Sequence, residues 1–258
     1  MRSVVSRKHS EGIGTKPSYL SSGSRLKALI AATPVLGAAA RSVARIPVVE
    51  GLRRRFGFRG SSSYWEQRYR EGGTSGSGSF GRLAEFKAET LNDYVERMGI
   101  QSVIEFGCGD GAQLWLARYP RYVGIDVAEG AISACRQRFA GDSAKSFYLA
   151  SQMPADLGHF DLALSLDVIY HLVEDDVFHA YMRSLFANAG RFVAIYSSNK
   201  VEPGDAPHIR HRLFTHWIEV HEPQWRKTGF LPNKYPLNRA RPLDTSFADF
   251  YFFERASR

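Results

Sequence analysis

Residues 103–114, VIEFGCGDGAQL, run a set of strand formers straight into three glycines at alternate positions, Gly107, Gly109 and Gly111. Glycine reaches positive φ at low cost and lets a ligand come close to the backbone. A strand that ends in such a turn and opens a helix builds a nucleotide-type crevice at its carboxyl end. The chain on either side has the matching pattern. Candidate strands fall at 102–107, 122–126, 146–150, 160–166 and 191–198. Helical patterns lie between them in AQLWLARY (112–119), EGAISACRQRFA (129–140) and EDDVFHAYMRSLFANA (174–189). Apolar strands separated by amphipathic helices imply parallel strands buried on both faces, an α/β array.

Upstream, one helical pattern carries Tyr64, Trp65, Arg68 and Tyr69, and a second carries Leu83, Phe86, Leu91, Tyr94 and Val95. Between them the stretch Gly72–Gly81 holds five glycines among Ser and Thr, which suits either a tether or a lid hinged over a bound ligand. After the fifth strand come a polar, histidine-rich connection, a helix near 213–222 and a last aromatic strand, FADFYFFER (247–255).

The formal net charge of +8 is unevenly placed. Residues 1–60 hold 12 of the 34 Lys/Arg and 2 of the 26 Asp/Glu, so the remainder of the chain carries a net charge of −2. The body therefore offers no electrostatic case for a nucleic-acid groove, and a nucleic-acid partner is disfavoured. Residues 1–60 read as a basic, partly disordered segment, and the mixed basic and apolar stretch 25–59 suits peripheral contact with an anionic membrane surface. The apolar window 28–40 is broken by Pro34 and Gly37 and is too short to span a bilayer. Cys108 and Cys135 lie in no metal-ligand spacing and read as free thiols of a reducing compartment. The expected location is cytoplasmic, on the inner membrane face if the basic segment binds there.

Two nucleotide readings compete at the glycine turn. Gly107, Gly109 and Ala112 satisfy a dinucleotide spacing, and Asp126 ends the second strand 19 residues after Gly107, where a ribose-binding acid belongs. Glu105 and Asp110 oppose that reading, since acids beside the turn repel a pyrophosphate. Glu105 can also orient the loop amides. A ligand with a sulfonium and an ammonium but no phosphate fits both acids, and S-adenosylmethionine is such a ligand.

VIEFGCGDG, then VGIDVAEGAI, then FDLALSLDVIYHL resemble the successive motifs of class I S-adenosylmethionine-dependent methyltransferases, over residues 61–258. YWEQRY, GSFGRLAEFKAE and HIRHRLFTHW resemble a bacterial subgroup often linked to cell-surface glycan biosynthesis. The resemblance implies a Rossmann-like, seven-stranded, mostly parallel sheet with an antiparallel last strand and helices on both faces. It also implies that Gly107, Cys108 and Gly109 pass close to the methionine part of the cofactor and that Asp126 takes the ribose hydroxyls. Val127, Gln152 and Met153 would border the adenine, Asp167 would face the methionine end, and Tyr69 would close over that end.

Methyl transfer to a hydroxyl needs a positioned acceptor and a base, and histidine is the usual base. The candidates are His171, at the mouth of the crevice, with His208 and His211 in the connection after strand five. Arg210 and Arg212 beside them suit an acidic or polyhydroxyl acceptor. The chain lacks the Asn/Asp-Pro-Pro-Tyr and Pro-Cys sequences of enzymes acting on nucleobases, which points to a small-molecule, sugar or lipid-linked acceptor. Rival readings are a protein or RNA methyltransferase of the same fold, a non-catalytic cofactor-binding scaffold, and a dinucleotide oxidoreductase.

Overall fold

Strand β1 (Ser102–Phe106) is central because it is hydrogen-bonded in parallel on both sides, to β2 (Arg121–Asp126) and to β4 (Phe160–Leu166). β3 (Lys145–Leu149) adds outside β2, and β5 (Ala189–Ser197) outside β4. β7 (Asp249–Arg255) then inserts antiparallel between β5 and β6 (Trp225–Leu231), giving the order β3-β2-β1-β4-β5-β7-β6. The order reverses between β1 and β4, so a crevice opens at the carboxyl ends of those strands. The computed structural model describes residues 60–256; the expected basic segment and its membrane contact lie outside the described residues.

Alternation along each strand divides the core in two. On one face Val103, Leu162, Ala194 and Phe250 pack with Phe86 and Leu91 of helix α2 (Gly81–Arg97). On the other, Ile104, Ala163, Val193 and Phe253 pack with Met182 and Leu185 of α4 (Asp175–Ala187) and Trp217 of α5 (Phe214–His221). Helix α3 (Glu129–Arg138) follows β2, and α1 (Ser61–Arg70) lies across the carboxyl ends of the strands. Only Ser61 of α1 is fully buried, so α1 is held by individual contacts along its length rather than by a buried apolar stripe.

Two expectations fail here. AQLWLARY is not an α-helix: it makes only a 3-10 turn, Leu114–Leu116, closed by Leu116 N–H to Gln113 O and Ala117 N–H to Leu114 O. Pro120 bars Tyr119 from helical backbone, and the next strand begins at once. The seventh strand, β6, was not anticipated at WRKTGFL. It is the sheet edge, five of its seven residues are exposed, and it carries no apolar alternation.

Glu105 is an acid on the most enclosed strand. It is buried, and its Oε2 accepts the Tyr122 hydroxyl of β2 at 2.6 Å. Burial pushes its pKa up to about 7, against the opposing pull of that hydrogen bond and of the Lys87 ammonium. The folded protein thus holds this proton more tightly than the unfolded chain, whose carboxyl titrates near 4.5. The charge costs nothing below that pH, and the cost is complete once the pH has risen past 7. Glu105→Gln is therefore expected to gain on the order of 3 kcal/mol over wild type at about pH 8 and to lose the gain by about pH 4.5. Urea unfolding at both pH values checks it; an equal difference at both would show that the charge is not what burial penalises.

Candidate functional site

The turn after β1 is shaped by the neighbouring strand. Gly107 and Cys108 both donate their amides to Ile125 O, at 2.7 and 3.1 Å, and Gly109 donates to Asp126 Oδ2 at 2.9 Å. Asp126 Oδ1 also accepts Ala128 N–H at 2.9 Å. Burial pushes the Asp126 carboxyl up, and the amides of Ala128, Gly109 and Val127 hold it down. Three successive amides that would cradle a phosphate are thus committed to protein acceptors. Glu105 takes no part in this, contrary to the expectation that it orients the loop: its bond goes to Tyr122.

Gly107 and Gly109 have φ of +81° and +57°. A Cβ at Gly107 would lie 2.3 Å from Val168 Cγ2, and one at Gly109 would lie 2.9 Å from Ser75 Cβ and 3.0 Å from the Tyr69 hydroxyl. Neither turn position can carry a side chain in this packing.

A cavity of about 380 Å³ opens there. Its lining brings together nine of the expected site residues from β1, β2, β4 and their turns and from α1: Tyr69, Glu105, Gly107, Cys108, Gly109, Asp126, Val127, Asp167 and His171. Met153 joins them from the turn after β3, whereas Gln152 is exposed and outside the lining. His208 and His211 also lie outside it. His208 stacks on Tyr64 with ring centroids 4.4 Å apart. His211 bonds the Ser198 hydroxyl through Nδ1 at 2.7 Å and lines a different depression, with His179 and Trp217. Arg210 and Arg212 do not present a basic acceptor loop either; both pair with Asp175 and donate to main-chain carbonyls of Leu172 or Val173.

His171 ends a 3-10 turn after β4. Its Nδ1 is 3.0 Å from His208 O. A carbonyl can only accept, so Nδ1 carries the proton and Nε2 keeps its lone pair. Burial pushes the imidazole pKa down to about 4, so the ring is neutral at physiological pH. The Trp65 ring meets it edge-on at 4.9 Å. The start of α1 is fixed beside it: Ser61 N–H donates to Glu174 Oε1 at 2.9 Å, and Ser61 Oγ accepts Val173 N–H at 3.0 Å. Helix α1 is pinned near its middle by Glu66 Oε2, which accepts Glu129 N–H at the start of α3.

Sequence reasoning missed several lining residues. Ser75 and Ser79 bring the Gly72–Gly81 loop into the cavity wall, and Asp110 holds the loop there by accepting Ser75 N–H and Oγ–H at 3.3 and 3.0 Å. Asp110 itself is not in the lining. Lys87 is the other omission. It is 1% exposed on α2, and its ammonium meets Asp167 Oδ2 at 2.6 Å. Its signal was its register: Leu83, Lys87 and Leu91 form one i, i+4 row, so the row that buries two leucines buries the lysine too.

These residues fit S-adenosylmethionine. The lining acids suit cationic groups, the amides of Gly107, Cys108 and Gly109 are spent on protein acceptors rather than offered to a pyrophosphate, and Gln113 of the lining has a buried Oε1 with no hydrogen-bond partner among the described residues. Among the described residues no group of His, Cys, Asp and Glu is arranged to hold a metal ion.

Comparison with known proteins agrees with the geometry. Residues 104–194 match the family described as "Methyltransferase domain". The methyltransferase domain of bacterial CtHen1-C superposes with a TM-score of 0.52 at 19% identity, covering 66% of this chain and 97% of that one. Magnesium protoporphyrin IX methyltransferase from Synechocystis PCC 6803, solved with bound S-adenosylhomocysteine, gives 0.52 at 16% identity, covering 68% and 85%. The mRNA cap guanine-N(7) methyltransferase 1 of Arabidopsis thaliana is 41% identical over 63 residues, which is 20% of this chain and only 17% of that protein's length. Residues 104–194 thus carry a methyltransferase domain, and the strand order around them is the Rossmann-like fold of S-adenosylmethionine-dependent methyltransferases.

Proposed function

We propose that this chain transfers a methyl group from S-adenosylmethionine to a hydroxyl of a glycan, lipid-linked sugar or small molecule. The observation that carries the acceptor half of this reading is His171. It lines the same cavity as Asp126 and Asp167, it is neutral, and its protonated nitrogen is already spent on His208 O. Nε2 is then free to take a hydroxyl proton as the oxygen attacks. Bound in the cavity, S-adenosylmethionine supplies a methyl already activated by its sulfonium. The chain's own part is to orient: Asp126 keeps lone pairs beyond its two amide bonds for the ribose hydroxyls, and Val127, Val168 and Met153 offer apolar walls to the adenine. His208 contributes through its carbonyl, which fixes the His171 tautomer. The catalytic domain spans 61–258 in this reading, and the basic segment before it holds the enzyme at an anionic membrane face. No helix among the described residues is long and apolar enough to cross a membrane.

An RNA acceptor is the second reading, and the 63-residue match to an mRNA cap methyltransferase favours it. The net charge of −2 beyond residue 60 weighs against it.

Methyl-labelled S-adenosylmethionine supplied with a cell lysate separates the readings. Label in the lipid or carbohydrate fraction is expected; label in RNA or protein overturns the acceptor class. Asp126→Asn is expected to weaken S-adenosylhomocysteine binding about 10- to 100-fold in calorimetry while unfolding stays cooperative, because a charge-assisted hydrogen bond is lost. His171→Ala is expected to slow single-turnover methylation about 100-fold or more with cofactor affinity unchanged. Wild-type turnover in that variant would remove His171 from the chemistry.

A further inference from the structure

The cavity wall contains a buried cation that the proposed chemistry does not use. Lys87 is the one Lys or Arg among the described residues that lines it, and it stands with Asp167 where the Gly72–Gly81 loop closes on α2. The loop leaves space for the pair only because residue 78 is glycine: a Cβ there would lie 2.8 Å from Asp167 Oδ2 and 3.8 Å from Lys87 Nζ.

Asp167 is not a free carboxylate. Oδ2 accepts from Lys87 at 2.6 Å and Oδ1 from the Tyr170 hydroxyl at 2.9 Å. Its backbone is also unusual, with φ of +60°, the only positive value on a non-glycine residue among those described. Backbone strain of this kind persists where the surroundings over-determine it, and it concentrates at ligand sites. Lysine has three N–H donors, and Asp167 takes one. The Tyr196 ring face, 5.3 Å away, adds cation–π attraction but no hydrogen-bond acceptor. A closed ion pair would be replaceable by apolar packing at little cost in stability. A cation left with spare donors at a cavity wall lined by three acids instead suits a ligand that brings a further anion.

The methionine end of S-adenosylmethionine has that composition, one carboxylate beside one ammonium. Resting on the cofactor reading above, we infer that Lys87 binds the cofactor's carboxylate, while Asp167 and the unpartnered Oε1 of Gln113 receive its ammonium. Lys87 then has two partners of like charge, one from the protein and one from the ligand, and Asp167 has two cationic partners beside the Tyr170 hydroxyl. The four groups alternate in sign, so each buried charge has opposite charges as its nearest neighbours. The cofactor's amino-acid end completes a pattern that the protein leaves half built.

Calorimetric titration of the full chain with three ligands tests this. S-adenosylhomocysteine has both charges of the amino-acid end, its decarboxylated analogue keeps only the ammonium, and 5′-methylthioadenosine has neither. Wild type is expected to bind S-adenosylhomocysteine about 30-fold more tightly than the decarboxylated analogue, the value of one charge-assisted contact. Lys87→Met is expected to lose most of that preference while binding 5′-methylthioadenosine within about threefold of wild type. If Lys87 only braces Asp167, the substitution weakens all three ligands alike, and that result overturns the inference. So does a wild type that binds the decarboxylated analogue as well as S-adenosylhomocysteine, a comparison that needs no variant to fold. A wild type that binds none of the three overturns the cofactor reading itself, and the role of Lys87 with it.

Discussion

The carboxylate of Asp126 accepts the amides of Gly109 and Ala128, each at 2.9 Å, and so ties the turn after β1 to the turn after β2. The Ile125 carbonyl, one residue earlier, holds the amides of Gly107 and Cys108 in the same way. A buried acid must be satisfied where it stands, and here the glycine turn satisfies it. The turn cannot rise toward a ligand as a row of donors, because its donors face the end of the neighbouring strand. This constraint sets the character of the crevice. With the amides of Gly107, Cys108 and Gly109 turned to that strand, the crevice offers a pyrophosphate little and suits a cationic ligand through its acids. No regular helix follows the turn to supply the missing positive end, since Pro120 and the start of β2 leave space for a 3-10 turn alone.

Most of this architecture was legible because parallel strands write themselves into a sequence as apolar runs. β1, β2, β4 and β5 are buried on both faces, and their limits in the sequence differ from the observed ones by at most two residues. Position along those strands marked Asp126 at the end of β2, and the family resemblance added Asp167 just after β4. What escaped was edge structure and side-chain direction. β6 gives no apolar signal because one neighbour is water, and WRKTGFL meets its only partner, β7, through backbone bonds. The 112–119 pattern is amphipathic, but Pro120 stops it before a helix can form.

Lys87 escaped for a different reason. A lysine on a helix is ordinarily a surface residue, and its apolar stem hides nothing unusual in composition. The row Leu83, Lys87, Leu91 was the available signal, and it is informative only once the opposite acid is located. The position of Asp167 after β4 says which cavity it faces and nothing of the cation that holds it. In the Gly72–Gly81 loop, Ser75 on Asp110 and Gly78 against Asp167 make a fitted part of the wall, and residue 78 is glycine for closeness of approach, which composition alone does not reveal.

The three candidate histidines show how far residue type can mislead when direction is unknown. His171, His208 and His211 are close in the fold, yet the main chain divides their work. The His208 carbonyl reaches His171 Nδ1, while its ring stacks between Tyr64 and His171, with centroids 4.4 and 5.4 Å away, and offers neither nitrogen to the cavity lining. His211 is turned to Ser198 and to a separate depression. Only His171 lines the cavity with a ring whose donor nitrogen is already bound. A histidine supplies a base where its second nitrogen is occupied by an acceptor that cannot give a proton back, and a main-chain carbonyl is such an acceptor. In this fold the residue that makes His171 a candidate base is thus another histidine, acting through an atom that every residue has. Replacing the His208 side chain leaves that carbonyl in the chain, so the tautomer of His171 depends on the path of the backbone at 208 and not on the imidazole there.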